Sequence, residues 1–183
     1  MRLKNLAISI MPIALVLAGC GSDEASNFND ADVVFVQGMI QHHEQAIEMA
    51  EMALAGSAGA SDEVVGLAQR IRDAQDSEIA MMKGWLEDWD KPMTMGSTSD
   101  HSMDEMDSAG MMTEDEMASM GQMTGSEFDM TWSESMIEHH RGAIEMASSI
   151  KLDGMNADVM NLADQIISGQ TAEITEMEQI LNK

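Results

Sequence analysis

The side chains with the clearest capacity for chemistry are two histidine pairs, each inside one copy of a repeated motif. The sequence MIQHHEQAIEM at positions 39–49 returns 97 residues later as MIEHHRGAIEM at positions 136–146. Neutral imidazole is a good ligand for copper, zinc, iron and nickel. The duplication therefore predicts a metal site built from both halves of the chain.

Both copies have the spacing of an amphipathic helix. At 100° per residue, Met39, His43, Ala46 and Ala50 share one face, whereas glutamate and glutamine side chains occupy the other. In the second copy His140 takes the place of His43. We expect His43 and His140 near the centre of the apolar stripe and the other histidine of each pair towards one edge.

Methionines flank both pairs and extend the candidate site. The predicted ordered ligands are His42, His43, His139, His140, Met39, Met49, Met136 and Met146. Two structural alternatives remain open. A buried methionine is an ordinary core filler, and His43 and His140 would also pin a bundle by hydrogen bonding to Glu173 and Glu78.

A second repeat follows each histidine motif and sets the fold class. Leu67-Ala68, Ile71, Gln75, Glu78-Ile79 and Met82 match Leu162-Ala163, Ile166, Gln170, Glu173-Ile174 and Met177. The repeating unit is thus a helical hairpin, at 30–89 and again at 128–182. Two hairpins that each leave an apolar stripe uncovered predict an all-α four-helix bundle with pseudo-twofold symmetry.

The N-terminus is typical of an exported lipoprotein. Basic residues precede an apolar run, which predicts a signal peptide at 1–19, with a single transmembrane anchor as the alternative. The run ends in Leu17-Ala18-Gly19-Cys20, which resembles the lipobox of bacterial lipoproteins and implies lipidation of Cys20. Residues 20–29 would then be a tether to the bundle at 30–183. Because Cys20 is the only cysteine, the exported chain would have no thiolate ligand to offer a metal.

The segment at 91–125 is rich in methionine, aspartate, serine and glycine, and it predicts disorder or one short helical turn near 113–120. Thioether sulfur is a soft donor that prefers Cu(I), so methionines without a core to fill suggest a looser metal reservoir. The weaker candidate ligands are His101, Met93, Met95, Met103, Met106, Glu78 and Glu173.

Composition excludes some classes of function and leaves one enzyme class open. A formal net charge of −24 makes nucleic acid an unsuitable partner. A di-iron bundle oxidase needs Glu-x-x-His on two helices, and that motif is absent from the sequence. We therefore expect no enzymatic activity, with a di-metal oxidase as the remaining catalytic alternative.

The Met-x-x-His-His motif occurs twice, and in both halves it is followed by Gln-x-x-Glu-Ile-x-x-Met. With this pair of motifs the chain resembles the DUF305 family. This resemblance covers both hairpins and implies a ferritin-like, exported four-helix bundle. The family includes a copper-resistance protein of cyanobacteria, so it also implies copper binding outside the cytoplasm. The long methionine-rich insert departs from compact members and implies either extra copper capacity or a spacer.

Together these features predict a lipid-anchored protein that sequesters copper or passes it on in copper tolerance or homeostasis. The expected cargo is Cu(I) or Cu(II), with Ag(I) as a further candidate. The expected partners are the metal ion, a membrane reached through the lipid, and other copper-handling proteins. The alternative is a bundle with a purely structural or interaction role.

Overall fold

The computed structural model describes residues 27–94 and 110–183, and within these ranges it contains helices and no strand. The predicted leader, Cys20 and residues 95–109 lie outside the described residues. The helices are α1 (Asp30–Leu54), α2 (Asp62–Asp88), α3 (Glu114–Met120), α4 (Ser126–Asp153) and α5 (Ala157–Leu181). The predicted all-α bundle of two hairpins, α1–α2 and α4–α5, is confirmed.

The helix boundaries follow from short polar caps. Asn29 caps α1, and its backbone N–H donates back to the side chain of Asp32 at 2.8 Å. Ser61 caps α2 and Asn156 caps α5 in the same way, by accepting from backbone N–H groups of the first turn. These are the residue types that satisfy the free N–H groups at a helix start.

Two apolar clusters fill the bundle, one towards each end. The Phe35 cluster is formed by residues from all four long helices, including Phe35, Met39, Met82, Leu86, Met146, Val159 and Leu162. The Trp132 cluster likewise includes Met49, Leu67, Ile71, Phe128, Trp132, Met136 and Met177. Helix α1 passes from the first cluster to the second, and α4 passes from the second to the first, so these two helices run in opposite directions.

Two aspartates hold the hairpins together. The buried carboxylate of Asp32, in α1, accepts hydrogen bonds from the backbone N–H groups of Met155 and Asn156, at the start of α5. Asp129, in α4, accepts from the backbone N–H of Ser61, at the start of α2, at 3.1 Å. The two aspartates are 97 residues apart, like the histidine motifs, so each hairpin holds the turn of the other.

The structure corrects one inference about the methionine-rich segment. Met117 and Met120, in α3, are buried in the Trp132 cluster. Met112 and Met123 are half-buried against the same cluster. These methionines therefore do have a core to fill, contrary to the prediction that the segment packs against nothing. The predicted short helix near 113–120 is confirmed as α3.

Replacing Asp32 with alanine should lower the free energy of unfolding by about 3 kcal/mol, because buried N–H groups lose a charged acceptor. The matched control is Asp30→Ala, which removes the same charge from an exposed position on the same turn. We expect this control to cost under about 1 kcal/mol. Urea denaturation followed by circular dichroism measures both values, and equal losses would show that Asp32 acts only through its charge.

Candidate metal centre

The four paired histidines meet in one buried layer between the two apolar clusters. His43, His139 and His140 are fully buried, and His42 is 1% exposed. The rings of His42 and His139 lie against each other across the hairpin interface, with their centroids 3.8 Å apart and their planes inclined at 42°. The ring of His140 follows at 6.4 Å from that of His139.

A position at the edge of the apolar stripe does not leave His42 and His139 exposed. They are as buried as His43 and His140. The reason is that α1 and α4 pack against each other along that edge. The edge of each single helix thus becomes the centre of the interface between the hairpins.

Two glutamates orient the other histidine of each pair. Nε2 of His43 lies 2.7 Å from Oε2 of Glu78, and Nε2 of His140 lies 2.8 Å from Oε2 of Glu173. These bonds form within each hairpin, so the predicted pairing across the bundle, of His43 with Glu173 and of His140 with Glu78, is wrong. A neutral imidazole that donates from Nε2 keeps a lone pair on Nδ1.

Several nitrogens of the layer are buried and lack a well-formed hydrogen bond with the described residues. They are Nδ1 of His43, Nδ1 of His140, and the ring nitrogens of His139, which has only a weak interaction with the backbone of His42. A buried polar atom without a partner is costly unless water or an ion completes it. The histidine layer therefore contains several buried imidazole nitrogens whose hydrogen-bonding capacity is not satisfied.

The electrostatic environment keeps His139 uncharged. Burial, followed by the neighbouring rings of His42, His140 and His43, holds the pKa of His139 well below its usual value, against a smaller opposite effect of the His42 backbone. Protonation would place a charge in an apolar layer and beside other imidazoles. The neutral form is the form that binds metals.

The four candidate methionines lie on both sides of the histidine layer and are buried. Met39 and Met146 belong to the Phe35 cluster, and Met49 and Met136 belong to the Trp132 cluster. Each cluster therefore contains one candidate methionine from α1 and one from α4, and each of these methionines belongs to the repeated motif that carries the histidines. Both the core-filling role and the ligand role are compatible with this position.

Helices α2 and α5 add further polar groups at the same level. Gln75 and Gln170 are buried one turn before Glu78 and Glu173, and no described residue bonds to the amide oxygen of either. The sequence placed these glutamines near the apolar stripe through the second repeat. It gave no signal for Ser133, whose buried hydroxyl also makes no hydrogen bond with the described residues.

The remaining candidates do not join this layer in the described part of the chain. Met93 is half-buried and packs against the Phe35 cluster. Met95, His101, Met103 and Met106 lie outside the described residues. Within residues 27–94 and 110–183, no three His, Cys, Asp or Glu side chains are placed to hold one metal ion.

Comparison with known proteins identifies relatives of the whole bundle. Residues 32–181 match the family model described as "Domain of unknown function (DUF305)". A DUF305 fragment from Deinococcus radiodurans is 31% identical, with a TM-score of 0.73 over 84% of this chain and 97% of that one. A predicted secreted DUF305 protein from Streptomyces coelicolor is 31% identical, with a TM-score of 0.75 over 83% and 92%.

Another solved relative carries a metal. CopM in its Cu(I)-bound form is 32% identical, with a TM-score of 0.63 over 82% of this chain and 95% of that one. CopM has also been solved in Cu(II)-bound and Ag-bound forms. No curated protein sequence matches the chain.

The metal-free protein should lose stability as the pH falls below about 6.5, the pKa of an unperturbed histidine. In that range His139 takes up a proton in the unfolded chain but stays neutral in the folded protein, because its folded pKa is lowered. Acid therefore favours unfolding. The stability of the protein is free of this penalty only above the pKa of the unfolded histidine. One such group adds at most about 1.4 kcal/mol per pH unit to the slope.

The comparison that isolates this contribution is between the unchanged protein and His139→Phe, in chelator, between pH 7 and pH 5. Subtracting the two slopes cancels the effects of the acidic surface. We expect a shallower slope for His139→Phe. Parallel slopes would mean that the folded His139 titrates like the unfolded one.

Proposed function

The chain belongs to the DUF305 family, and on that premise we propose that it binds copper outside the cytoplasm, as Cu(I) or Cu(II). The histidines of the layer and the candidate methionines of the two adjacent clusters hold the ion. The protein sequesters the metal or passes it to other copper-handling proteins. Ag(I) is a further cargo with the same ligand preference.

The observation that carries this proposal is the set of buried ring nitrogens without partners. A bundle built for stability alone would complete or replace such groups, because each costs about 1–3 kcal/mol when left unpaired. Here they come from both hairpins and lie at one level. A bound metal ion would complete them.

The ligand chemistry of the layer fits a soft ion better than a hard one. The available donors are neutral imidazole and, from the adjacent clusters, thioether sulfur. This set favours copper, whereas Mg²⁺ and Ca²⁺ require several oxygen ligands. In such a site Glu78 and Glu173 would accept a hydrogen bond from the ring nitrogen that does not bind the metal. A carboxylate in this position fixes the tautomer of the histidine and orients its ring.

Relatives support both the metal and the location. CopM, which has this fold and 32% identity, was solved with Cu(I). The Streptomyces relative is a predicted secreted protein. Within the described residues no helix is long and apolar enough to cross a membrane. Attachment to a membrane through lipidation of Cys20 stays a prediction from the sequence.

A structural role is the second candidate, and the two His–Glu bonds favour it. They connect α1 to α2 and α4 to α5 with partly covered carboxylates, and such bonds stabilise a hairpin without any metal. The di-metal oxidase has less support, because Glu78 and Glu173 each bond to a histidine and no third carboxylate joins them among the described residues.

The double variant His42→Phe/His139→Phe tests the proposal. Phenylalanine keeps a ring in the interface and removes the nitrogen lone pairs, so the fold should persist. We expect affinity for Cu(I) to fall at least about 100-fold, since loss of ligands exceeds the effect of losing their outer partners. Competition with a Cu(I) chelator measures it, with circular dichroism as the check on folding.

The control is a protein in which residues 95–109 are replaced by a glycine-serine segment of equal length. This removes Met95, His101, Met103 and Met106 and leaves the packed methionines of α3 in place. We expect high-affinity binding to survive. If this change abolishes tight binding and the phenylalanine variant retains it, the histidine layer is structural and the proposal is wrong.

The variants Glu78→Gln and Glu173→Gln separate orientation from ligation. Glutamine keeps the size of the side chain but replaces the carboxylate acceptor that holds the histidine tautomer. We expect Cu(I) affinity to fall about 10–100-fold. Glu176→Gln is the matched control, because this glutamate on α5 is exposed and pairs with Arg70 at the surface. An unchanged affinity in all three variants would contradict the orienting role.

A further inference from the structure

A second group of thioethers lies outside the histidine layer, in an open pocket of about 420 Å³ between α3, the segment before it, and α4. Three methionines line this pocket: Met111, Met112 and Met123. Two carboxylates, of Glu116 and Glu138, also line it. Glu116 accepts hydrogen bonds from Thr113, and Glu138 pairs with Arg141, which does not line the pocket. The remaining lining groups are glycine and hydroxyl side chains.

The backbone of Met112 is held in place by a side chain of α1. The side chain of Gln45, in α1, donates to the carbonyl of Met112 at 2.8 Å and accepts from its N–H at 2.7 Å. Gly110 has a φ of +72°, and a Cβ there would collide with the carbonyl oxygen of Glu138. The segment therefore lies directly against α4, and only glycine fits at its first described position.

Core filling accounts for these three methionines less fully than for Met117 and Met120. Met112 and Met123 contact the Trp132 cluster on one side, but all three are only half-buried and line the open space of the pocket. A thioether at the wall of an open, acidic pocket is available to a solvent-borne cation. Three soft, uncharged donors next to two carboxylates match a monovalent soft ion, because sulfur ligates it and the negative field attracts it.

We propose that Met111, Met112 and Met123 form a second metal site, selective for Cu(I) and Ag(I) over harder cations, at the junction of α3 and α4. The site lies beside the histidine layer, since a Cβ at Gly110 would also be 3.1 Å from the Cα of His139. Its identification as a copper site rests on the proposed function for the cargo, whereas its selectivity for soft ions rests on the pocket alone.

The test is titration of the purified protein with Ag(I), followed by NMR of ¹³C-labelled methionine methyl groups. The single variants Met111→Leu, Met112→Leu and Met123→Leu assign the three signals. We expect these signals to shift together, and Mg²⁺ at the same concentrations to leave them unchanged. The triple leucine variant should bind one Ag(I) fewer than the unchanged protein. Leucine preserves the volume of methionine, so folding should be retained.

The matched control is the triple variant Met81→Leu/Met130→Leu/Met155→Leu, which changes three exposed methionines outside the pocket. It should bind as much Ag(I) as the unchanged protein. If both triple variants lose the same amount, or the pocket signals do not move, the inference is overturned. In His42→Phe/His139→Phe the pocket signals should still shift, so a failure of the histidine site and a failure of this site give different results.

Discussion

The structure depends on the burial of four imidazole rings at one level of the bundle. An apolar interior tolerates imidazole only when it is neutral and its polar atoms are paired or otherwise completed. Glu78 and Glu173 satisfy one nitrogen of His43 and of His140, and burial keeps His139 uncharged. The apolar clusters lie on either side of the layer, so the imidazole nitrogens that remain are buried in the bundle interior.

Much of this arrangement could be predicted from the repeats. Each histidine motif has a helical period and a polar partner motif downstream, and this predicted the hairpins, their pairing and the inward direction of His43 and His140. The depth of His42 and His139 could not be predicted, because a helical wheel describes one helix. The edge of a stripe becomes interior only when a second helix covers it, and that depends on how α1 and α4 cross.

The choice of hydrogen-bond partner was ambiguous for a related reason. Both hairpins contain an inward histidine and an inward glutamate, so pairing within a hairpin and pairing across the bundle give the same pattern in the sequence. Only the relative height of the residues on adjacent helices distinguishes them. The packing of α3 was missed because composition averages over the segment, whereas four of its methionines, Met112, Met117, Met120 and Met123, contact the Trp132 cluster.

The contacts of Asp32 and Asp129 have a consequence for the symmetry of the chain. Each aspartate bonds to the turn of the opposite hairpin, so the contacts between the halves are isologous, as they are between the subunits of a twofold dimer. The pairing of His42 with His139, which hold the same place in the two copies of the motif, follows the same symmetry. The protein thus has the geometry of a homodimer whose two subunits have been joined into a single polypeptide.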